Sequence, residues 1–274
     1  MDPDDHAHPI AGPTCLLAFG TSTDWCCVGL LWRDAVGRLR CDALAERAGQ
    51  EHSRRVLAMA GALLRGAGLE LSAVEAIAFD AGPGSFTGLR IGCGIAQGLA
   101  FALGRPVVPV ASLEALALQA DAETALVALD ARMGEVYCAA YRVDRGGATA
   151  LGPLRVLAPE EAASQLLAHL PGREVHGVVA IGNAFARQER LGSAVADRGV
   201  AIRNDPCPRA DAIAAAGWRR LARGDVVDAA RAAPLYVRDK VALDVDEQRR
   251  ARAQRAAAPV AADGGASAAS AGRG

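Results

Sequence analysis

Gly82-Pro83-Gly84-Ser85-Phe86-Thr87-Gly88-Leu89-Arg90-Ile91-Gly92 is the stretch that decides the fold, because a short apolar strand pattern ends there and a long helix pattern begins. The helix pattern, over about 86–103, carries glycine at positions 88, 92, 94 and 98. Each glycine inside a helix costs about 1 kcal/mol relative to alanine. The sequence therefore predicts that another backbone, or a phosphate, approaches this segment closely and offsets the cost.

The loop departs from the glycine motifs that bind nucleotides. A P-loop needs a lysine after its second glycine, but Thr87 holds the sixth position from Gly82 and no lysine follows. A dinucleotide fingerprint needs glycine at that sixth position, and here the glycine comes one residue later. The spacing of Ser85 to Gly88 also differs from that of a serine-nucleophile elbow. The segment does provide a helix N-terminus that Ser85 or Thr87 can cap.

A stripe of small residues at four-residue spacing runs along the helix that follows, and such a stripe lets a second element approach closely. It either packs on the chain's own sheet or on the helix at 52–64, or it docks a partner subunit, and the pattern alone does not decide between these. The predicted partner interface combines this stripe, two flanking apolar residues and the apolar face of the helix at 52–64. Its residues are Val56, Met59, Ala60, Leu63, Gly88, Gly92, Ile95, Ala96, Leu99 and Ala100.

The composition excludes several classes of protein. With 274 residues and a net charge of −1, the chain can bury a sizeable core but carries no global basic field for nucleic acid. Its seven cysteines form no CxxC pair, which favours free thiols in a reducing compartment over a zinc site. The acidic start is no signal peptide, and no apolar run reaches the 18 residues of a membrane span. We expect a soluble, cytoplasmic protein.

Strand and helix patterns alternate, and one order of elements occurs twice. The first series has strands at Leu16–Phe19, Cys26–Trp32, Leu39–Glu46, Ala76–Asp80 and Pro106–Val110, with helices at His52–Leu64, 86–103 and Ser112–Ala120. The second has strands at Ala125–Leu129, Glu135–Arg142, Arg155–Leu157, Val175–Ile181 and Val200–Ile202, with helices at Pro159–Leu170, Ala184–Leu191 and Arg209–Arg223. A capping box at 72–75 predicts a short helical turn.

The repeated strand–turn–strand unit predicts an α/β fold of the actin-like ATPase (ASKHA) type, with two stacked lobes of similar β-β-β-α-β-α order. The expected organisation is a loose leader at 1–13, a partner-binding N-terminal lobe at 14–110, a C-terminal lobe at 111–243 and a disordered tail at 244–274. Four arginines in the tail, at 249, 250, 252 and 255, leave open a weak contact with RNA.

In actin-like enzymes two hairpin turns hold the phosphates of a nucleotide. The corresponding residues here are Thr21, Asp24 and Asp130, which we interpret as vestigial phosphate-turn residues. Gly20 stands where such enzymes usually carry an acidic residue. The five histidines have no metal-ligand spacing within the folded region, and His6 and His8 fall in the leader. We expect no catalytic residue, no metal and no cofactor.

Several stretches together resemble the TsaB (YeaZ) family. They are Gly82–Ala100, Asp130-Ala131-Arg132-Met133-Gly134-Glu135-Val136-Tyr137, residues 16–24, Glu51-His52-Ser53 and Pro234-Leu235-Tyr236-Val237-Arg238. The resemblance covers about 15–240. It implies an actin-like fold and a non-catalytic dimerisation subunit of the bacterial machinery that makes threonylcarbamoyladenosine next to the anticodon, in tRNAs reading codons that begin with A.

The resemblance also implies partners. Such a subunit pairs with the catalytic paralogue TsaD, or with itself, through helices of the first lobe, and the ATPase TsaE joins the complex. TsaD-like proteins carry a His-x-x-x-His metal pair where this chain has Ser112 and Leu116, which favours a degenerate, non-catalytic member. The alternatives are an actin-like small-molecule kinase or ATPase, which Gly20 and the missing lysine disfavour, and a metallopeptidase, for which the histidines do not suffice.

Overall fold

Two mixed β-sheets, each built on an antiparallel hairpin, organise the chain. The computed structural model describes residues 14–237 except 50, 146, 171, 173, 174 and 206. The predicted leader with His6 and His8, and the predicted tail with its four arginines, lie outside the described residues.

The first sheet has five strands in the order β3-β2-β1-β4-β5. β1 pairs with β2 in antiparallel and with β4 in parallel orientation, and β5 continues the parallel side. The bounds are β1 Cys15–Gly20, β2 Trp25–Arg33, β3 Leu39–Arg47, β4 Ala76–Gly82 and β5 Val107–Ala111. β1 and β4 are buried on both faces, as their unbroken apolar runs predict.

The second sheet repeats this arrangement. β6 pairs with β7 in antiparallel and with β10 in parallel orientation, so the order β8-β7-β6-β10-β11 corresponds strand by strand to the first sheet. The bounds are β6 Thr124–Arg132, β7 Glu135–Asp144, β8 Gly147–Ala150, β9 Arg155–Leu157, β10 Val178–Ile181 and β11 Ala201–Arg203. β9 also pairs with β7, so both strands that follow β7 in sequence return to it.

Seven helices among the described residues cover the sheets in layers. They are α1 His52–Ala67, α2 Phe86–Leu103, α3 Ser112–Gln119, α4 Pro159–Leu167, α5 Ala184–Arg187, α6 Glu189–Ala196 and α7 Ala210–Ala222. α1 and α2 pack on one face of the first sheet, and α7 packs on the other. α3 packs on the second sheet and beside α7, while α4, α5 and α6 cover that sheet's far face.

α7 comes late in the sequence, after the strands of the second sheet, but it packs on the first sheet. The sequence division puts α7 in the C-terminal lobe, but its alanine-rich face packs on Leu16, Ala18 and Ala78 of the first sheet. Gly217 makes this approach possible, because a β carbon there would lie 2.7 Å from the Cβ of Ala78. A side-chain pattern defines the buried face of a helix but does not say which sheet the face meets.

Several predicted elements are corrected. β8 is present although no strand was predicted there. The single helix expected at Ala184–Leu191 is two helices, separated at Gln188, whose backbone is not helical. The expected capping box at 72–75 is a short 3-10 turn at Leu71–Ala73 without a side-chain cap. α4 ends at Leu167 rather than at residue 170.

The adjacent thiols of Cys26 and Cys27 lie on opposite faces of β2, as strand alternation predicts. Cys26 joins the core under α1 and α2, and Cys27 joins the core under α7. All seven cysteines are free, and each of them except Cys41 is buried. Burial raises the pKa of the Cys26 thiol to about 11, so these thiols are protonated core residues.

Candidate functional site

The turn between β1 and β2 is hydrogen-bonded to the start of α2, and we call it the closed turn. The hydroxyl of Thr21 donates to the carbonyl oxygen of Gly88 at 2.8 Å, and the backbone N–H of Ser85 donates to the carbonyl oxygen of Ser22 at 2.7 Å. Ser85 also caps the helix, since its hydroxyl accepts from the backbone N–H of Gly88 at 3.4 Å. The cap predicted at Ser85 or Thr87 is therefore Ser85.

The glycines of this segment are explained by the same turn. A β carbon at Gly84 would lie 2.7 Å from Ser22, one at Gly88 would lie 1.9 Å from the carbonyl oxygen of Thr21, and one at Gly92 would lie 2.5 Å from the Thr21 hydroxyl oxygen. Only glycine fits such distances. The close approach that the glycines predict is thus made by the chain's own first hairpin turn.

Asp80, at the end of β4, links three elements beneath this turn. Its carboxylate accepts hydrogen bonds from the hydroxyl of Ser112 at 2.5 Å, from the backbone N–H of Gly82 at 3.1 Å and from the hydroxyl of Ser22. Complete burial raises the pKa of Asp80 above its ordinary value, against the opposing effect of the hydrogen bonds. The sequence reasoning missed Asp80, although an acidic residue at the end of an apolar strand is a recognisable signal.

Gly20 sits directly beside Asp80. A β carbon at Gly20 would lie 2.9 Å from the Sγ of Cys27, 3.0 Å from Ile213 and 3.5 Å from the Cβ of Asp80. An aspartate at this position would therefore displace a buried thiol and a residue of α7, and it would place a second carboxylate next to a buried one. The packing therefore leaves no space for an acidic side chain at Gly20.

The polar groups of the second hairpin turn, between β6 and β7, also find their partners within the chain. The Asp130 carboxylate accepts from the backbone N–H of Arg132 at 3.0 Å and pairs with the Arg187 guanidinium at 2.9 Å. Its own N–H donates to the side-chain oxygen of Asn183 at 2.9 Å. Arg132 and Met133 have positive φ angles of 65° and 54°, which this network holds in place. Asp130 therefore acts as a turn cap with an ion pair.

The three predicted phosphate-turn residues thus have separate roles. Thr21 is buried against α2, Asp130 is committed to its own turn, and Asp24 is exposed, with its carbonyl oxygen accepting from the N–H groups of Ala48 and Gly49. At the start of α3, Ser112 is bound to Asp80 and Leu116 lies in the core. No cluster of three or more potential metal ligands occurs within the described ranges.

The predicted partner interface requires a correction, because eight of its ten residues are buried within the chain. Those eight are Val56, Met59, Ala60, Leu63, Gly88, Gly92, Ala96 and Ala100. Their physical role is to pack α1 and α2 on the first sheet and, at Gly88 and Gly92, to admit the Thr21 turn. The other two, Ile95 and Leu99, are half-buried at the edge of this core.

The opposite face of α2 is exposed, and beyond Arg90 at its N-terminal end it carries small and apolar residues. Gly94 and Gly98 are exposed, and no atom lies within 4 Å of a β carbon built on either. Phe101, one helical turn further, has 83% of its surface exposed, and Leu57 on the adjacent α1 has 53%. Arg90 is the only charged residue of α2. We call Gly94, Gly98 and Phe101 the outer helix face.

This composition also corrects one expectation about membranes. α2 reaches 18 residues and is long and apolar enough, by length and composition, to cross a membrane. In the structure its inner face packs on the first sheet. Among the described residues, only this inner side of α2 is covered.

The segment before residue 237 packs along α2, from Gln97 back to Phe86 at its N-terminal end. The side-chain amide of Gln97 donates to the carbonyl oxygen of Ala232 at 3.0 Å. Tyr236 packs on Phe86 with ring centroids 5.9 Å apart, and the Arg90 guanidinium lies 3.7 Å from the centroid of the Phe86 ring. The Leu235 N–H donates to the carbonyl oxygen of Ala81 at 2.7 Å. The Pro234–Val237 motif thus anchors the chain next to α2.

The two sheets of equivalent topology, with a hairpin turn at the same place in each, define a duplicated α/β protein of the actin-like ATPase class. Comparison with known proteins identifies the family within this class. A family model described as "TsaD: tRNA N6-adenosine threonylcarbamoyltransferase" matches residues 44–242. The Escherichia coli K12 protein named tRNA threonylcarbamoyladenosine biosynthesis protein TsaB is 34% identical over 233 residues, which are 83% of this chain and 96% of that protein. The chain belongs to the TsaB (YeaZ) family.

Other relatives agree with this assignment. The Haemophilus influenzae protein of the same name is 48% identical over 126 residues, which span 44% of this chain and only about half, 51%, of that protein. A Pseudomonas aeruginosa crystal structure, described as an uncharacterized protein with similarity to peptidase YEAZ, superposes with a TM-score of 0.72 at 38% identity and covers 82% of this chain and 100% of that one. YeaZ from the same organism gives a TM-score of 0.69 at 38% identity, over 81% and 99%.

Proposed function

We propose that this chain is a non-catalytic scaffold subunit that binds a TsaD-family transferase. In this role it supports threonylcarbamoylation of the adenosine next to the anticodon in tRNAs that read codons beginning with A. The names of the relatives and the family model support a place in threonylcarbamoyladenosine biosynthesis. The structure adds a physical reason for a supporting role rather than a chemical one.

The outer helix face is the observation that carries the proposal. Interface cores are depleted in charge and enriched in aromatic residues, and energetic hot spots lie among them. Gly94, Gly98 and Phe101 fit this description, since two exposed glycines leave room for a partner side chain or backbone beside one exposed ring. Because α2 is covered on its other side by its own sheet, a partner that docks here would bury the exposed ring of Phe101 and the open surface at Gly94 and Gly98.

The closed turn supports the non-catalytic part of the proposal. A nucleotide phosphate in the first hairpin would need hydrogen-bond donors, but the Thr21 hydroxyl already donates to the Gly88 carbonyl and the Ser85 N–H already donates to the Ser22 carbonyl. At the start of α3, the hydroxyl of Ser112 is engaged by Asp80 and Leu116 offers no ligand atom. A metal site of imidazole and carboxylate ligands cannot be assembled from such residues without new side chains.

The proposal assigns partners as follows. The TsaD-family protein docks on the outer helix face of the lobe at 14–110, and TsaE joins through that complex rather than through this chain alone. The same face serves for self-association when TsaD is absent, so the homodimer and the heterodimer compete. Contact with tRNA is indirect or weak. The buried stripe at Gly88 and Gly92 supports the docking helix from behind and takes no direct part.

Reconstitution of the modification reaction tests this function. The chain is combined with the TsaD-family protein and the TsaE of its own genome, with threonylcarbamoyl-adenylate and unmodified tRNA, and the modified nucleoside is quantified by mass spectrometry after digestion. We expect modification only when the chain is present. The isolated chain is expected to produce none, whatever its concentration.

Two outcomes would refute the proposal. One is equal modification by the TsaD-family protein with and without this chain, which would remove the scaffold role. The other is production of the modified nucleoside, or turnover of ATP, by the isolated chain, which would make it an enzyme. Ala196→Arg, an exposed position of α6 on the second lobe, serves as the control for surface mutation, because it is remote in sequence from the outer helix face.

A further inference from the structure

The helix pair α1 and α2, which bears the outer helix face, contains arginine but no acidic residue. The arginines are Arg54, Arg55 and Arg65 on α1 and Arg90 on α2, and all four are exposed. The whole chain has a net charge of −1. The basic character therefore belongs to this helix pair and not to the protein in general.

One of these arginines is neutralised within the chain. The Nε of Arg55 lies 3.4 Å from the Oε1 of Glu46, and its Nη2 lies 3.2 Å from the Oε2 of Glu51. Arg54 and Arg65 form no ion pair with any residue that the structure describes. Arg90 lies over an aromatic ring and donates to a tyrosine hydroxyl, and neither group carries a counter-charge. Three positive charges are thus left uncompensated on the surface of the helix pair.

The topology places Arg54 and Arg90 at the same end of the helix pair. β3, β4 and β5 run in the same direction, because β1 and β3 are both antiparallel to β2, and β4 and β5 continue parallel to β1. α1 connects β3 to β4, and α2 connects β4 to β5, so both helices begin at the carboxyl ends of these strands. Arg54 and Arg90 lie near these beginnings, and Arg65 lies in the last turn of α1.

The helix dipole gives a structural reason for Arg65 but none for Arg54. A cation stabilises the C-terminal end of a helix, whereas an anion is favoured at the N-terminal end. Arg54 lies in the first turn of α1, and the first turns of α1 and α2 both lack an acidic residue. Helix stability therefore does not explain the basic end of the helix pair.

We propose that Arg54, Arg65 and Arg90 form a basic rim of the outer helix face, and that this rim steers docking of an acidic surface on a TsaD-family partner. The inference rests on the proposed function and adds the chemistry by which the partner is selected. Charges at the rim of an interface mainly raise the association rate. The uncharged centre of the face favours a protein partner over nucleic acid, whose binding relies on basic contacts to phosphates.

The same rim disfavours pairing of two copies of this chain through that face. A two-fold interface brings the same surface of both copies together, so the arginines of one copy approach those of the other and repel them. An acidic partner surface reverses the sign of this interaction. Charge therefore selects the heterodimer over the homodimer when both partners are present.

Arg54→Gln in the full chain tests the proposal. The rate of association with the TsaD-family protein of the same genome is measured between about 0.05 M and about 0.5 M salt. We expect the wild-type rate constant to fall about tenfold over this range, and Arg54→Gln to associate about two- to fivefold more slowly than wild type at low salt only. Self-association, measured by sedimentation, should instead become tighter in Arg54→Gln. A general structural defect would weaken both associations.

Two controls separate charge from shape. Arg54→Lys keeps the charge and should associate like wild type. Arg155→Gln removes one charge from an exposed position of β9, in the second sheet, and should leave the association rate unchanged. If self-association is too weak to measure, the salt dependence and Arg54→Gln in the heterodimer decide.

Three outcomes overturn the proposal. A wild-type association rate that does not change with salt, or an Arg54→Gln variant that associates as fast as wild type, removes the steering role and leaves the scaffold function intact. Weaker retention of tRNA by Arg54→Gln, with unchanged association with the protein partner, would assign the rim to nucleic acid instead. A wild-type chain that does not bind the TsaD-family protein at any salt concentration refutes the proposed function itself, and this inference with it.

Discussion

The backbone of Gly88 packs directly on the carbonyl oxygen of Thr21, at a distance where a β carbon on Gly88 would approach that oxygen to 1.9 Å. This contact joins the first hairpin turn to the first turn of α2, and the hydrogen bond from the Thr21 hydroxyl to the Gly88 carbonyl reinforces it. The first hairpin turn is thereby bound to the chain's own helix.

Substitution of the α2 glycines should therefore have opposite effects on protein stability at buried and at exposed positions. Gly88→Ala is expected to lower the free energy of unfolding by about 3 kcal/mol, because the clash is with backbone that cannot move away. Gly98→Ala should raise it by about 0.5–1 kcal/mol, since the added methyl group enters open space and improves helix propensity. Urea unfolding of the two variants measures both effects. Equal effects of the two substitutions would contradict the packing described for α2.

Asp80 should make stability depend on pH in a direction opposite to that of most carboxylates. Burial raises the pKa of Asp80 in the folded chain above its value in the unfolded chain. The protonated carboxyl therefore stabilises the fold at low pH, and this contribution is lost as the pH rises through the folded-state pKa. Asp80→Asn has no proton to lose and keeps donors and acceptors for Ser22 and Ser112.

The measurement for Asp80 is the free energy of unfolding of wild type and Asp80→Asn from about pH 4 upward to neutrality. As the pH rises, the free energy of unfolding of Asp80→Asn should increase relative to that of the wild type. Asp80→Ala is the matched control, because it leaves the Gly82 N–H and two hydroxyls without an acceptor and should be destabilised at every pH. A difference between wild type and Asp80→Asn that stays constant with pH would show that Asp80 does not titrate in this range.

The closed turn also predicts how the chain responds to nucleotide. Magnesium–ATP should leave the melting temperature of the wild-type chain unchanged, because two donors that a phosphate would need, the Thr21 hydroxyl and the Ser85 N–H, already donate to Gly88 and Ser22. A ligand that binds only the folded state would raise it. Differential scanning fluorimetry with and without the nucleotide is sufficient. A clear, saturable rise would revive the alternative of an actin-like kinase or ATPase.

The sequence predicts the repeated strand–turn–strand units and most element bounds because those signals are local. A local pattern is enough to predict buried strands such as β1 and β4 from their apolar runs, and to place the start of α2 at its glycine-rich loop. The packing of α7 on the first sheet could not be predicted in this way, since it joins residues far apart in sequence, such as Leu16 and Gly217.

The candidate site shows the same limit more clearly. The four-residue spacing of Gly88, Gly92, Ala96 and Ala100 correctly indicates close packing, but spacing does not say what lies on the other side. The structure places the Thr21 turn and the chain's own core there. The sequence could not predict the open face of α2. Nothing local distinguishes the exposed glycines at 94 and 98 from the buried glycines at 88 and 92, because the difference lies in their neighbours in space.

Gly98→Arg tests whether the outer helix face docks a TsaD-family partner. The monomer has space for this side chain, so the variant should fold as stably as wild type, while a large charged group blocks close approach on α2. Isothermal titration with the TsaD-family protein of the same genome should give at least about tenfold weaker binding, with Ala196→Arg unchanged. Wild-type affinity in a folded Gly98→Arg variant, or no binding by the wild-type chain, would contradict the claim.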